Sequence, residues 1–403
     1  MGFADTAQAR QLVTELGLDA ASGPDAPLLH ALAAAADPDL ALAALARMAP
    51  DAELRQTLST DAVLRDRLVS VLGASAALGD HLIRQPADWR LLADTAPFPA
   101  PDGVSDGSGL LRAEAADAAD PVTQLRVAYR RRLLRLAAGD LTGEYALDDV
   151  MAGLADAASA ALAAALGIAR AELPAAAAAG RLAIIAMGKC GARELNYASD
   201  VDVIFVAGPA EPAPLRSATT LASRVIRICS QVAPEGQLFP VDPNLRPEGR
   251  AGPLVRTVAS HLAYYERWAS TWEFQALLKA RFVAGDAELA AEYLAAITPL
   301  VWQAAERDGF VADVQAMRRR VVASLPADQA GRELKLGPGG LRDIEFAVQL
   351  LQLVHGRADE SLRLAGTLPA LVALAAGGYV GRDDAAAMAA AYRFLRGVEH
   401  LVQ

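Results

Sequence analysis

Lysine is nearly missing from this chain. Of 38 lysine and arginine residues among 403, only Lys189, Lys279 and Lys335 are lysine. Arginine fills every other basic position, so lysine is expected where a compact ammonium fits and a planar guanidinium does not. All three fall inside long motifs, and at least two are expected to face the cleft around the acids described below. Cysteine is as scarce: Cys190 and Cys229 form no CxxC pair, which argues against a disulfide framework and for a reducing, cytoplasmic setting. The five histidines are scattered, with no HExxH and no Cys/His cluster, so a zinc site is not expected. A basic excess is lacking too. The net charge is -10, which excludes a long nucleic-acid-binding track. The first twenty residues lack the basic start and apolar run of a signal peptide, and no apolar run looks long and charge-free enough to span a bilayer.

What is present is alanine. Hydrophobic residues make up 53% and aromatics only 5%, a composition that reads as helical. Residues 1–175 are expected to be a helical region, with "LLHALAAAADPDLALAALARM" interrupted at Pro38. Leu54, Leu58, Val63 and Leu64 stand at helical spacing. A Pro/Gly/Asp/Ser-rich loop follows at "APFPAPDGVSDGSG". A helix at "DPVTQLRVAYRRRLLRLAAGDL" then turns its arginines to solvent. Residues 176–256 change character. "RLAIIAM", "DVDVIFV" and "QLFPVD" read as strands, with the helix "PLRSATTLASRVIRICSQVA" before the last. Residues 257–403 return to helices around the turn "KLGPGGLRD". The fold class is therefore α+β, mainly helical, with a small sheet between helical segments.

Asp200 and Asp202, in "SDVDVIFV", lie two residues apart and so share one strand face. Carboxylates held this close repel, and a divalent, oxygen-seeking cation relieves the repulsion. Asp242, ending "QLFPVD", supplies the third acid that a two-metal phosphoryl-transfer site needs. Upstream, Gly188 and Gly191 let backbone N–H groups approach a phosphate, and Ser199 and Lys189 add donors. "AMGKC" is not a P-loop, since Ala183 stands where its first glycine belongs and Cys190 replaces Ser/Thr. Strand, glycine loop, Asp-x-Asp, helix and distant third acid resemble the layout of the polymerase β-type nucleotidyltransferase core, which implies a small mixed sheet.

The resemblance extends further. "MGKCGARELNYASDVDVIFV", "VDPNLRPEGRAGPLV", "YYERWASTWEFQALLKARFVAGD" and "LKLGPGGLRDIEFAVQLLQLVHG" are similar to the motif series of bacterial glutamine synthetase adenylyltransferase/adenylyl-removing enzymes. "LGASAALGDHLIRQPADWRLL" and "YRRRLLRLAAGDLTG" resemble that family's opening segments. Members carry two such units, one removing AMP from glutamine synthetase and one attaching it. A chain that starts at Met1 and breaks off at "YRFLRGVEHLVQ" is expected to be the N-terminal, adenylyl-removing half.

The resemblance implies phosphorolysis of an AMP–tyrosine bond, with phosphate entering and ADP leaving. It implies Mg²⁺ or Mn²⁺ on Asp200, Asp202 and Asp242, and nucleotide or phosphate contacts at Gly188, Lys189, Gly191, Ser199, Arg246, Lys279 and Lys335. Implied partners are glutamine synthetase, a PII-type nitrogen-signalling protein and the second half of the polypeptide; nucleic acid and membrane are not. Many members have Arg where this chain has Asn244, although Arg246 stands nearby. Other motif residues have two readings. Glu194 orients the loop or faces solvent, and Trp272 and Phe274 are core or a base-stacking platform. Glu273 stays open. Arg342, Asp343 and Glu345 are a salt-bridged brace or part of the site, and Arg318 to Arg320 read as a solvated row. The alternatives are AMP attachment on the same fold, or a PII-docking module without catalysis.

Overall fold

The computed structural model describes residues 2–18, 26–48, 51–94, 119–175, 180–326 and 332–402. The loop expected at 96–109 and most of the linker before Gly180 lie outside them. Contacts divide the chain into two units. Among the described residues, the first comprises 2–18, 26–48, 51–94, 119–153 and 232–237; the second comprises 154–175, 180–231, 238–326 and 332–402. The division falls within the helix Leu147–Glu172, not at residue 175.

In the first unit, Pro38 does separate two helices, Ala26–Ala34 and Pro38–Met48. Asp61 splits the next stretch into Ala52–Thr60 and Ala62–Ala74, because its carboxylate caps the second helix by accepting from the Leu64 N–H. Leu54, Leu58 and Leu64 are buried as expected, but the new helix start turns Val63 outward, 44% exposed. The arginines of Pro121–Leu141 are not simply solvated. Arg131 pairs with Asp88 at 2.9 Å, Arg135 with Asp94 at 3.1 Å, and Arg126 is buried. Leu147–Glu172 is long and apolar enough to cross a membrane. It behaves as a core helix instead, with 78% of its apolar window buried.

The second unit holds the sheet. Its strands are β1 (Arg181–Ala186), β2 (Val201–Gly208), β3 (Val241–Asp242), β4 (Val255–Thr257) and β5 (Arg281–Gly285), in the order β3-β2-β1-β5 with β4 also pairing β2. β1 runs antiparallel to both β2 and β5, while β3 and β4 run parallel to β2. The mixed sheet is the one expected, but the core does not stop at residue 256, since β5 lies beyond it. "QLFPVD" contributes only its last two residues. The Leu238 and Phe239 N–H groups both go to the Cys229 carbonyl, and Pro240 has no N–H to offer a ladder.

β1 and β2 are buried almost throughout, as strands covered on both faces must be. The helix Pro212–Ser230 packs on β1, β2 and β4, and Ala287–Gln303 packs on β1, β2 and β5. Ala183, Ile185, Met187, Ile204 and Val206 enter one core with Tyr265, Phe274, Leu289 and Tyr293. The helices Leu341–His355, Thr367–Ala376 and Arg382–Leu401 build a second core around Leu341, Val348, Leu371 and Tyr392.

Asp286 fastens Ala287–Gln303 to the sheet. It accepts from Leu289 N at 2.9 Å as the helix cap and from Arg181 Nε of β1 at 2.6 Å. The Arg181 hydrogen bond, with the cap, pulls its carboxyl down to about 2. A depressed carboxyl stabilises above its ordinary value near 3.8 and loses that contribution as pH falls toward 2. Asp286→Ala is expected to cost about 1–2 kcal/mol at pH 7. The urea midpoints of the two proteins should converge as pH is lowered toward 2.

Candidate metal and phosphate site

The β2–β3 register sets Asp202 directly opposite Asp242. Asp200 lies one residue before β2, held there by the Val201 N–H bond to the Pro240 carbonyl at 2.9 Å. One carboxylate oxygen from each of the three lies within 4.8 Å of the others. Asp200 is exposed; Asp202 and Asp242 are half-buried.

The charge on this cluster is costly. Burial, then Asp200 and then Asp242 push the Asp202 carboxyl up to about 6, with Lys335 and Arg342 pulling the other way. Three converging oxygens with an unrelieved negative charge are a donor set for a hard divalent cation, so the residues fit Mg²⁺ or Mn²⁺. Asp242 is also oriented from its own chain, accepting from the Asn244 N–H at 2.7 Å. The residue that departs from the family pattern thus contributes its backbone here.

Gly188 and Gly191 form a single helical turn at the end of β1. The turn lies against the acids: Met187 N–H donates to the Asp202 carbonyl at 2.9 Å. Gly188 has φ +52°, and a Cβ there would sit 2.2 Å from Asp202 Oδ2. At Gly191 a Cβ would sit 1.9 Å from the Lys279 carbonyl oxygen. Both positions demand glycine for close approach.

The three lysines separate. Lys335 is one of two cations, with Arg342, that lower the Asp202 carboxyl, and among the described residues its ammonium makes no hydrogen bond or ion pair. Its loop is fixed by Arg318, which donates to the carbonyls of Leu336 and Gly337 at 2.9 Å each and pairs with Asp343. Arg318 is therefore not part of a solvated row. The Lys189 ammonium turns to Glu399 at 2.6 Å and Asn196 at 3.1 Å. Lys279, buried, donates to Glu194 at 3.1 Å and lies 3.9 Å from Glu345. Burial opposes its charge, but the two glutamates outweigh that and raise its pKa. The expectation that a second lysine ammonium reaches the acids gives way to buried pairing, because a buried ammonium needs a carboxylate.

The remaining residues find places. Glu194 is buried, accepting also from Thr367 N at 2.6 Å, so it does not face solvent. Glu345 pairs with Arg342 at 3.1 Å, and with Asp343 on Arg318 this is a salt-bridged brace. Arg342 nonetheless acts on Asp202. Glu273 completes a capping box with Ser270 and accepts from Tyr264, and Phe274 is core beneath Arg307. Arg246 gives its hydrogen bonds to the carbonyls of Pro243, Gly252 and Pro253, bracing the loop after Asp242. Ser199 donates to the Asp200 carbonyl at 2.9 Å. Sequence reasoning missed Arg281, which donates to the Cys190 carbonyl at 2.8 Å and the Gly191 carbonyl at 3.2 Å. It also missed Asn196, Arg396 and Glu399. Two cavities of about 300 Å³, one beside Arg307 and one beside Phe346, contain none of the three aspartates.

The family model for glutamate-ammonia ligase adenylyltransferase matches residues 65–296. The chain belongs to that family. The model for GlnD PII-uridylyltransferase matches residues 314–403. Curated relatives called bifunctional glutamine synthetase adenylyltransferase/adenylyl-removing enzyme include those of Streptomyces avermitilis at 60% identity, Streptomyces coelicolor at 58% and Mycobacterium avium at 52%. Each alignment covers 100% of this chain and 41% of the relative. The chain thus spans well under half the length of the relatives it matches.

The raised carboxyl of Asp202 has a signed consequence. Its charged form penalises the metal-free fold fully above about pH 6 and not below its ordinary value near 3.8. Asp202→Asn removes the penalty and is expected to stabilise the metal-free protein at pH 8 by on the order of 2 kcal/mol. The gain should vanish near pH 4. Saturating Mg²⁺ should reverse the order, raising the melting temperature of the parent protein alone. Thermal melts at the two pH values, with and without Mg²⁺, check all three statements.

Proposed function

We propose that this chain is a nucleotidyltransferase unit that removes AMP from adenylylated glutamine synthetase by phosphorolysis. The observation that carries the reading is the cluster of Asp200, Asp202 and Asp242 with Lys335 and Arg342 acting on it. Acids to hold a metal, with cations beside them to hold an anion, suit phosphoryl transfer. Family membership narrows the substrate to the tyrosine-linked AMP of glutamine synthetase. The likeness of the helices before the core to the family's opening segments favours removal over attachment.

In the proposed reaction an oxygen of inorganic phosphate bonds to the AMP phosphorus as the bond to the tyrosine oxygen breaks. The tyrosine oxygen takes a proton, and the products are ADP and unmodified enzyme. Asp200, Asp202 and Asp242 would hold Mg²⁺ or Mn²⁺, which when bound supplies charge neutralisation and Lewis acidity at the phosphoryl oxygens. Lys335 offers its ammonium to the incoming phosphate. Glycine at 188 lets the turn pack directly against the Asp202 carboxylate, where a Cβ would sit 2.2 Å from Oδ2. No protein nucleophile is needed.

The test is incubation with adenylylated glutamine synthetase, phosphate and Mg²⁺. ADP release is expected, falling at least about 100-fold in Asp200→Asn or Asp242→Asn. Lys335→Met should raise the KM for phosphate more than it lowers kcat. AMP transfer from ATP onto unmodified glutamine synthetase, without ADP release from the modified form, would replace this reading with the attaching activity.

A further inference from the structure

We infer that Arg396 and Glu399, on the helix Arg382–Leu401, are positioning residues for the acid cluster, acting through Lys189 and the turn it belongs to. The inference rests on the proposed metal site only for its consequence, not for its geometry.

The turn Gly188–Gly191 touches Asp202 twice, through the Met187 N–H bond and through the bare Cα of Gly188 against the carboxylate. A shift of the turn therefore moves, or crowds, the Asp202 carboxylate. Two groups hold the turn in place. Arg281 reaches it from β5, through the carbonyls of Cys190 and Gly191. Glu399 reaches it from the last helix, taking the Lys189 ammonium on Oε1 at 2.6 Å.

Glu399 divides its two oxygens between two cations. Oε2 accepts from Arg396 Nη1 at 2.6 Å, and the same Nη1 donates to Asn196 Oδ1 at 2.7 Å. Asn196 Oδ1 also accepts from Lys189, closing a ring of four side chains. Arg396 Nη2 continues to the Glu194 carbonyl, in the segment that follows the turn. Arg396 is 1% exposed, Asn196 2% and Glu399 8%. Glu399 is thus the anion between two cations that otherwise face each other out of water. Arg396 already opposes the charge on Lys189, whose pKa lies near 8 mainly because it is buried. Neutralising Glu399 leaves a buried lysine without its carboxylate, and Lys189 sits on the short turn packed against Asp202. A tie that merely fixed the last helix to the core would not single out that turn.

The experiment uses the full chain with Glu399→Gln, Arg396→Lys, and the double variant Lys189→Met/Glu399→Gln, each confirmed as folded by circular dichroism. Hydrogen exchange of peptides covering 187–194 is measured without metal, and Mn²⁺ affinity is measured by calorimetry, with Asp202→Asn as control. Glu399→Gln should speed exchange in 187–194 but not in β1 or Pro212–Ser230, and should weaken Mn²⁺ binding by at least about ten-fold. The double variant, which removes the buried amine left without its carboxylate, should recover protection in the turn; a lost structural tie would not recover. Arg396→Lys keeps the charge but loses the fork, and should also loosen 187–194. Unchanged exchange in the turn in both Glu399→Gln and Arg396→Lys overturns the inference. A parent protein whose turn responds as expected but binds no Mn²⁺ overturns the metal reading and leaves the positioning role standing.

Discussion

Repulsion among three carboxylates is the constraint around which the second unit is organised. Asp202 and Asp242 face each other across a parallel strand pair, and Asp200 is pinned at the mouth of β2. A sheet pairing that brings like charges together is unfavourable by itself. Here it is imposed by β1 and β2, whose buried apolar residues fix the register against helices on both sides. The hydrophobic core thus holds a cluster that electrostatics alone would disperse. The consequence is legible in Asp202, whose carboxyl is driven toward neutrality by burial and its neighbours.

Much of this was legible in the sequence, for reasons that differ by element. β1 and the body of β2 are short, continuous apolar runs, the pattern of a doubly covered strand. Asp200, Asp202 and Asp242 stand out because acids are costly beside such strands. β4 and β5 escaped because "VRT" and "RFVAG" are too short and too polar to show periodicity, and only pairing with β2 and β1 makes them strands. "QLFPVD" over-read as a strand because its apolar residues were counted and the missing N–H of Pro240 was not. The residues fixing the turn were not legible at all. Arg281, Arg396 and Glu399 lie about 90 to 210 positions from it, and only the fold brings them together.

The charged residues inside the unit divide into two kinds. Lys189, Lys279 and Arg396 are met by Glu194, Glu345 and Glu399, mostly buried, with Arg342 joining at Glu345. Such a network gains little stability over apolar side chains of similar volume, since desolvation offsets most of the attraction. What it gives is geometry: each partner has one arrangement in which every charge is met. Lys335 is the other kind, an ammonium that among the described residues makes no hydrogen bond or ion pair and acts on the charge of Asp202.

Seen this way, the scarcity of lysine acquires a physical sense. An arginine at 279 would place a planar fork between Glu194 and Glu345, where one ammonium now approaches both within 4 Å. At 189 the cation must meet two acceptors, Glu399 and Asn196, from a turn too close to Asp202 to move aside for a longer group. In both places a point charge with freely directed donors fits, and a rigid fork requires the backbone to shift. Lys335 needs the opposite property. An ammonium is strongly hydrated and flexible, so at a half-buried site it needs no fixed partner. Two lysines are fixed by carboxylates, and the third has no hydrogen bond or ion pair among the described residues.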